Sequence, residues 1–207
     1  MAIICPSITL KLEEYNDYFS KVSKLSKRIH LDIMDGTLTE TKSIQLNEIT
    51  IPSGYQIDIH LMVARPMDYI DQLVKLKPHL VIIHNEADVH HMYFAALLHQ
   101  HDILTGLAVL EDTPIDYTFQ IIHSFDHVLI FSGHLGYYGG ETNLSLLNKV
   151  TQTLDYHPGV EIGWDGGIND HNVKSLVDGG VEVLNVGSYL HNSEDIDQAY
   201  AKLEGLI

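Results

Sequence analysis

Ile29-His30-Leu31-Asp32-Ile33-Met34-Asp35-Gly36 is the stretch of this chain that decides its fold. Apolar residues bracket polar ones until the run stops at a glycine, a pattern typical of a buried strand that ends in a turn. Side chains two positions apart on a strand point the same way, so His30, Asp32 and Met34 share one face. An imidazole, a carboxylate and a thioether on one face indicate a binding site.

A second stretch, Gln56-Ile57-Asp58-Ile59-His60-Leu61-Met62-Val63, repeats this arrangement. His60 and Met62 lie two positions apart, so they too share a strand face. Asp58 lies two positions before His60 and so shares its strand face, but that spacing also fits a position deeper inside the fold. We therefore interpret Asp58 as a structural residue. Each of these two predicted strands therefore carries a histidine followed by a methionine on one face. This pattern is what we expect of two strands that form opposite walls of a metal site.

Apolar, β-rich runs recur along the whole chain, and helix-like segments separate them. The predicted strands cover residues 3–8, 29–34, 56–63, 80–84, 103–109, 127–131, 160–165 and 181–186. The predicted helices cover residues 12–25, 66–76, 90–99, 114–122, 143–154, 169–177 and 195–206, with a short one at 43–49.

Strands that alternate with helices imply parallel pairing, because parallel neighbours need a crossover connection. Eight such units predict an α/β protein of the (β/α)8 TIM-barrel class, forming one domain over residues 1–207. A doubly wound open sheet is the alternative. The absence of a glycine-rich dinucleotide motif after the first strand weakens that alternative.

Composition limits the partners and the compartment. The formal net charge of −16 argues against nucleic acid or an anionic membrane surface as partner, so an anionic substrate would need local attraction. Cys5 is the only cysteine, which excludes a disulfide framework within the chain and favours a reducing cytoplasm, with Cys5 itself buried. We expect neither a signal peptide nor a membrane span, because no apolar run approaches about 20 residues.

The candidate metal ligands are His30, Asp32, His60 and Asp165. They fall at or near the carboxyl ends of predicted strands, where TIM barrels carry their catalytic groups. Two imidazoles and two carboxylates suit Zn²⁺ best, with Fe²⁺, Mn²⁺ or Co²⁺ as alternatives, and suit Ca²⁺ or Mg²⁺ less. Paired carboxylates at a cation also indicate acid–base chemistry. One could remove a proton alpha to a carbonyl while the other delivers one from the opposite face, through an enediolate.

Glycines in the second half of the chain indicate a phosphate site. Gly166 and Gly167 follow the seventh predicted strand, and Gly187-Ser188 follows the eighth. TIM barrels commonly seat a phosphate on backbone N–H groups of these two loops. The Gly136-Tyr137-Tyr138-Gly139-Gly140 run after the sixth strand would add further N–H donors or a lid.

Taken together, these residues resemble the ribulose-phosphate 3-epimerase family. The two stretches quoted above are the specific matches, and the remaining matches follow in family order over essentially the whole chain. They are Pro6-Ser7-Ile8, Pro66 with Tyr69-Ile70, Ile83-His84-Asn85-Glu86, Gly106-Leu107-Ala108 with Thr113-Pro114, Asp165-Gly166-Gly167-Ile168 and Gly187-Ser188.

The resemblance implies a barrel of the ribulose-phosphate-binding type that interconverts D-ribulose 5-phosphate and D-xylulose 5-phosphate with one divalent metal ion. Asp32 would be the proton acceptor and Asp165 the donor, and both would ligate the metal with His30 and His60. The implied substrate-binding residues are Ser7, His60, Met34, Met62, Gly139, Gly140, Gly166, Gly167, Gly187 and Ser188. We also expect a homo-oligomer.

Three departures from the family pattern concern the substrate side of the site. The family usually has Phe-Val-Pro-Asn after Asp35-Gly36, where this chain has Thr37-Leu38-Thr39-Glu40. The loop after the sixth strand usually reads Asn-Pro-Gly-Phe-Gly-Gly-Gln, but residues 133–141 here are different and longer. A methionine usual near residues 130–132 is missing. The sequence therefore indicates the reaction type better than the sugar.

These departures leave alternatives open. One is the same epimerisation on a ketohexose phosphate such as allulose 6-phosphate. Another is a phosphosugar- or metal-binding barrel that has lost turnover. A related decarboxylase or aldolase is disfavoured, because those decarboxylases carry Asp-x-Lys-x-x-Asp and Met34 stands where the lysine would be.

Overall fold

Eight parallel strands close into a barrel in which each strand pairs with the next along the chain and the last pairs with the first. The computed structural model describes residues 2–137 and 139–207, so the sequence prediction for Tyr138 lies outside the described residues. The strands are β1 (Ile3–Ile8), β2 (Arg28–Met34), β3 (Gln56–Met62), β4 (Leu80–His84), β5 (Leu104–Val109), β6 (His127–Phe131), β7 (Glu161–Asp165) and β8 (Val183–Val186). The predicted TIM barrel is confirmed, and the open-sheet alternative is wrong.

Seven α-helices surround the barrel within the described residues. They are α1 (Leu12–Leu25), α2 (Ile70–Leu76), α3 (His91–His99), α4 (Leu147–Tyr156), α5 (Val173–Asp178), α6 (Ser188–His191) and α7 (Ile196–Glu204). Short 3₁₀ helices lie at Leu46–Glu48, Pro66–Tyr69, Ile115–Tyr117, Ile122–Ser124 and Leu144–Leu146. The outer faces of the strands and the inner faces of the helices form one large apolar core, as expected for strands that are buried on both sides.

The helix predicted over residues 114–122 is wrong. The chain there forms two separate 3₁₀ turns, Ile115–Tyr117 and Ile122–Ser124. Both the backbone N–H and the hydroxyl of Thr118 donate to the carbonyl of Ile115 at 2.8 Å, which closes a tight turn that an α-helix would have to open.

Helix α5 begins at Val173, four residues later than predicted, because an asparagine side chain forms hydrogen bonds with the backbone of the preceding residues. The side chain of Asn172 accepts from the N–H of Asn169 at 2.9 Å and donates to the carbonyl of Gly167 at 2.9 Å. Such local bonds compete with helix formation. They hold the loop after β7 in place beside the site described below.

An ion network joins four strands inside the amino-terminal end of the barrel. Arg28 donates from Nε to Asp58 Oδ2 at 2.6 Å and from its two terminal nitrogens to Glu161 at 2.8 and 2.7 Å. Glu161 Oε2 also lies 2.7 Å from His127 Nδ1. Asp58, which lies two residues before His60 on the same face of β3, thus forms an ion pair with Arg28. This agrees with the interpretation of Asp58 as a structural residue.

This network predicts a pH-dependent contribution of Glu161 to stability. Burial disfavours the charged carboxylate, but hydrogen bonds from Arg28 and His127 outweigh burial and hold the Glu161 pKa well below its ordinary value of 4.5. A carboxyl group with a lowered pKa stabilises the folded state above its unfolded pKa, and that stability is lost as the pH falls through the folded pKa. We expect Glu161→Gln to melt at a lower temperature than wild type at about pH 7, and the gap to narrow as the pH falls below about 4.5.

The measurement is thermal unfolding of both proteins across that pH range, with the exposed Glu40→Gln as a matched control. The Glu40 variant should follow the wild-type curve throughout. A gap between Glu161→Gln and wild type that stays constant from neutral to acidic pH would contradict the lowered pKa.

No helix within residues 2–137 and 139–207 combines the length and the apolar character needed to cross a bilayer. Cys5 is fully buried in β1, as predicted.

Candidate active site

Four side chains from three strands meet at the carboxyl end of the barrel. His30 and Asp32 come from β2, His60 from β3 and Asp165 from β7. One ligand atom from each residue lies within 4.8 Å of the others, so the group could hold a metal ion. The parallel register explains half of this convergence, because Asp32 lies directly opposite His60. The structure therefore brings together all four residues that the sequence singled out as ligands.

Asp32 is at the centre of the cluster. Its Oδ1 lies 3.2 Å from His30 Nε2 and 3.0 Å from His60 Nδ1. Its other oxygen, Oδ2, accepts hydrogen bonds from Ser7 Oγ at 3.2 Å and from Thr9 Oγ1. Asp165 Oδ2 lies 3.7 Å from the same nitrogens of His30 and His60. The two carboxylates therefore share the two imidazole nitrogens that face the cluster.

The cluster favours positive charge. Burial opposes ionisation of Asp32, but hydrogen bonds to His30 and His60 outweigh burial and hold the Asp32 pKa well below its ordinary value. Burial likewise opposes a charged His60, yet contacts with Asp165 and Asp32 raise the His60 pKa to about 9. A divalent cation would supply this positive charge while both histidines stay neutral, since metal binding displaces protons from the ligands. The donor set and its charge thus fit a divalent ion.

Behind His60 lies a polar chain that the sequence analysis quoted but gave no role. His60 Nε2 lies 2.9 Å from His84 Nε2, and His84 Nδ1 lies 3.5 Å from Glu86 Oε2. Thr113 Oγ1 donates to the other oxygen of Glu86. Burial, with the neighbouring His60, lowers the His84 pKa to about 4, so His84 is neutral at physiological pH. The chain supports the nitrogen of His60 that faces away from the cluster.

A pocket opens above the cluster, and both Asp32 and Asp165 line it. Of the predicted substrate-binding residues, the structure places Ser7, Met34, Met62, Gly139, Gly166, Gly167, Gly187 and Ser188 on its wall. His60 is fully buried beneath the wall. Gly140 lines a neighbouring groove with Gly167 and Ser188 instead.

The loop after β7 requires glycine at two successive positions. Gly166 and Gly167 have φ of +117° and +69°, which L side chains rarely adopt. A Cβ on Gly166 would lie 2.6 Å from the carbonyl carbon of Ser132, and one on Gly167 would lie 2.3 Å from the backbone nitrogen of Thr142. The loop after β7 therefore packs directly against the loop after β6 at the pocket wall.

No lysine or arginine is among the described residues that line the pocket. An anionic ligand would therefore depend on backbone N–H groups, on hydroxyl groups such as that of Ser188, and on any cation held by the cluster.

The two segments that depart from the family pattern contact each other at the rim. Gly136 packs so closely on Thr39 that a Cβ added to Gly136 would lie 2.7 Å from the Cβ of Thr39. Thr41, directly after the first segment, donates from Oγ1 to the carbonyl of Gly136 at 2.6 Å. Thr37 Oγ1 accepts from the N–H of Ala64 at 2.9 Å, which ties the first segment to the end of β3. The changed segments thus form one connected wall.

Thr9, Phe131 and Asn185 line the pocket although they were not predicted as site residues. Thr9 carried a usable signal, because it follows Ser7 by two positions, just after the end of β1, and continued strand alternation would point it to the same side. Phe131 lies within residues 130–132, where this chain lacks the methionine noted above. Its ring centroid is 5.8 Å from those of His60 and His84. Asn185 also carried a signal, since it is a lone amide in the apolar run of β8.

Comparison with known proteins gives consistent results. The family model described as "Ribulose-phosphate 3 epimerase family" matches residues 3–191. Curated relatives named ribulose-phosphate 3-epimerase include one from Helicobacter pylori, 30% identical over 186 residues that cover 86% of this chain and 84% of the relative. A relative of the same name from Encephalitozoon cuniculi is 32% identical over 170 residues, covering 81% and 76% of the two chains.

Solved structures support the fold alone. A 3-hexulose-6-phosphate synthase superposes with a TM-score of 0.74 at 16% identity, with 99% of each chain covered. A phosphoribosyl anthranilate isomerase from Thermus thermophilus gives a TM-score of 0.72 at 12% identity over the full length of both chains.

Proposed function

This chain belongs to the ribulose-phosphate 3-epimerase family, and from that premise we propose that it is a metal-dependent isomerase interconverting D-ribulose 5-phosphate and D-xylulose 5-phosphate. The observation that carries the proposal is the meeting of Asp32 and Asp165 at one pocket with two imidazoles beside them. Epimerisation at C3 needs one group to take a proton and another to return it from the opposite face. Two carboxylates from separate strands meet that need.

The proposed metal ligands are His30 Nε2, Asp32 Oδ1, His60 Nδ1 and Asp165 Oδ2, the atoms that face one another in the cluster. Zn²⁺ is the proposed ion, with Fe²⁺, Mn²⁺ or Co²⁺ as alternatives, because mixed imidazole and carboxylate sets suit these ions. When bound, such an ion polarises the substrate carbonyl and makes the neighbouring C–H group more acidic.

The residues of the chain handle the proton. Asp32 is ionised at neutral pH, and its Oδ2 is held in place by hydrogen bonds from two hydroxyl groups at the end of β1, those of Ser7 and Thr9. We assign to Asp32 the removal of the proton at C3, which leaves an enediolate. We assign to Asp165, on β7, the delivery of a proton to the opposite face of C3, which inverts its configuration. In the reverse direction the two carboxylates exchange roles.

Binding and orientation fall to the pocket wall. Ser7, Met34 and Met62 would contact the sugar next to the carboxylates, and the methionines would exclude water from it. Gly139, Gly166, Gly167, Gly187 and Ser188 would surround the phosphate, with Gly140 at the edge of the adjoining groove. We further propose a cytoplasmic location and a homo-oligomeric state for this enzyme.

The test of the proposed function is conversion of ribulose 5-phosphate by the purified, metal-loaded protein. We expect xylulose 5-phosphate to accumulate until the two sugars reach equilibrium, and allulose 6-phosphate to react more slowly. Faster turnover of the hexose phosphate would move the proposal to that sugar, and no turnover of either would favour a binding barrel. The curated relatives named above all carry the ribulose-phosphate 3-epimerase name, which does not favour these alternatives.

We assign His84 a positioning role for His60. If Nδ1 of His60 faces the metal, its Nε2 must carry the proton and donate to His84 Nε2, which leaves the His84 proton on Nδ1 toward Glu86. Partners of this kind orient metal-bound histidines, and their loss typically weakens metal binding about 10- to 100-fold. We expect that loss in His84→Ala, measured by competition against a chelator of known affinity.

Two further variants control this experiment. His84→Gln keeps an acceptor for the His60 N–H and should recover most of the metal affinity. If His84 acted only through packing, the metal affinity of His84→Gln would match that of other replacements of similar size. His171→Ala removes a highly exposed histidine and should bind metal like wild type. Unchanged affinity in His84→Ala would contradict the positioning role.

A further inference from the structure

Asn185 is a pocket residue to which neither the sequence analysis nor the reaction described above gives a role. It lies on β8 (Val183–Val186), in register with Asp165 on β7 and with Cys5 on β1. Its side chain belongs to the barrel interior, is 2% exposed, and lines the same pocket as Asp32 and Asp165.

Both polar atoms of this side chain are without a partner. Oδ1 and Nδ2 of Asn185 are buried and make no hydrogen bond within the described part of the chain. Elsewhere in residues 2–137 and 139–207, a buried side chain with an unpartnered polar atom has only one such atom. Leaving a buried amide unpaired costs stability, so such a group calls for a specific explanation.

Packing alone does not account for an amide at this position. The other residues of β8 are Val183, Leu184 and Val186, and a buried strand position accepts a β-branched apolar residue readily. An apolar side chain would fill the interior without leaving two polar atoms unpaired. The amide is therefore explained if its partner is a molecule that enters the pocket.

We propose that Asn185 binds a hydroxyl group of the sugar phosphate and is a specificity-determining residue of the site. The inference rests on the function proposed above and extends it to a residue that the family resemblance did not indicate. A hydroxyl group both donates and accepts, so it can pair with Oδ1 and with Nδ2 of one amide. A site built around such a pair also rejects analogues that lack the hydroxyl, because the amide then stays unpaired.

The experiment compares wild type with Asn185→Val in two measurements. The first is thermal unfolding without sugar, and the second is binding of ribulose 5-phosphate by calorimetry together with KM for its turnover. We expect Asn185→Val to melt at or above the wild-type temperature, because it removes unpaired polar atoms. We expect its affinity for the sugar to fall about 10-fold, or about 1.4 kcal/mol, through loss of the hydroxyl partner.

Thr153→Val is the matched control. Thr153 carries a buried hydroxyl oxygen without a partner on α4, and it does not line the pocket. Its replacement should also keep or raise the melting temperature while leaving the affinity for the sugar unchanged. Asn185→Ala is made alongside, in case valine crowds the interior.

Two results would overturn the inference. Unchanged affinity and KM in the Asn185 variants would show that the amide does not touch the sugar. Lower melting temperatures in both Asn185 variants would show that the amide has partners in the folded protein. A wild type that neither binds nor converts the sugar would overturn the proposed function as well, whereas an active wild type with an equally tight-binding variant would overturn this inference alone.

Discussion

Asp32→Asn is expected to lower kcat for epimerisation about 10²- to 10⁴-fold, the range typical for loss of a positioned acid–base group. The asparagine keeps the shape of the side chain and can still pair with Ser7, but its amide cannot take a proton from C3. The same loss is expected for Asp165→Asn.

A one-sided exchange experiment separates the roles of the two carboxylates. In Asp165→Asn, Asp32 remains, so the protein should still exchange the C3 hydrogen with solvent in one of the two sugars while failing to invert it. In Asp32→Asn, exchange should persist only in the other sugar. The measurement is loss of deuterium from C3-labelled ribulose 5-phosphate and xylulose 5-phosphate in ordinary water. Equal exchange from both sugars by either variant would contradict an acid and a base on opposite faces.

Asp35→Asn is the matched control for these variants. Asp35 follows Asp32 by three positions but bonds Thr37 and Tyr69 at 2.5 and 2.7 Å and is not one of the four clustered residues. Its replacement is expected to change kcat by less than about 10-fold, since it holds the rim and not the reacting proton. Metal content measured in parallel distinguishes a lost proton acceptor from a lost ligand.

Removal of the metal is expected to lower turnover more than 100-fold, because acidification of C3–H by a polarised carbonyl is worth several kcal/mol. Dialysis against a chelator should abolish epimerisation, and one equivalent of Zn²⁺, Fe²⁺, Mn²⁺ or Co²⁺ per chain should restore it. Ca²⁺ should not, since two of the four candidate ligands are imidazoles. The melting temperature should also rise when the ion binds, because the ion binds the folded cluster in preference to the unfolded chain.

His60→Ala provides the control for metal removal. It deletes the ligand that the register places opposite Asp32, so added ion should neither restore its turnover nor raise its melting temperature as in wild type. Full activity of a chelated protein whose metal content is below one ion per ten chains would contradict the metal requirement.

The barrel and the cluster could be predicted because both depend on local periodicity. Alternation of apolar and polar residues along β2 and β3 indicated which side chains face inward. The recurrence of strand and helix indicated eight parallel strands in sequence order, the arrangement that closes into the barrel. The carboxyl ends of such strands meet at one rim, which placed Asp165 near residues more than a hundred positions earlier in the chain.

Features that depend on tertiary contacts escaped the sequence. The region 114–122 carries helix-compatible apolar spacing, but its backbone closes in two separate 3₁₀ turns, which spacing alone does not distinguish from an α-helix. The chain from His60 through His84 to Glu86 runs across two strands, and nothing in the spacing says which nitrogen meets which. Asn185 reads as a polar interruption of β8, and only its burial without partners reveals it as an unusual group.

The contact between the changed segments also lies beyond sequence reasoning. Thr41, directly after the first of these segments, and Gly136, within the second, are joined by a hydrogen bond although 95 positions separate them. The sequence showed two independent departures from the family pattern, and the structure makes them one wall that can vary together.

The position of solvent-derived deuterium in the product is the most direct test of a proton relayed between Asp32 and Asp165. The metal-loaded wild type would convert ribulose 5-phosphate in deuterated water, and NMR would locate the label. We predict deuterium at C3 of the xylulose 5-phosphate formed, and none in either sugar after chelation. Xylulose 5-phosphate that forms with its original hydrogen at C3, or label that appears equally with chelator present, would contradict the account.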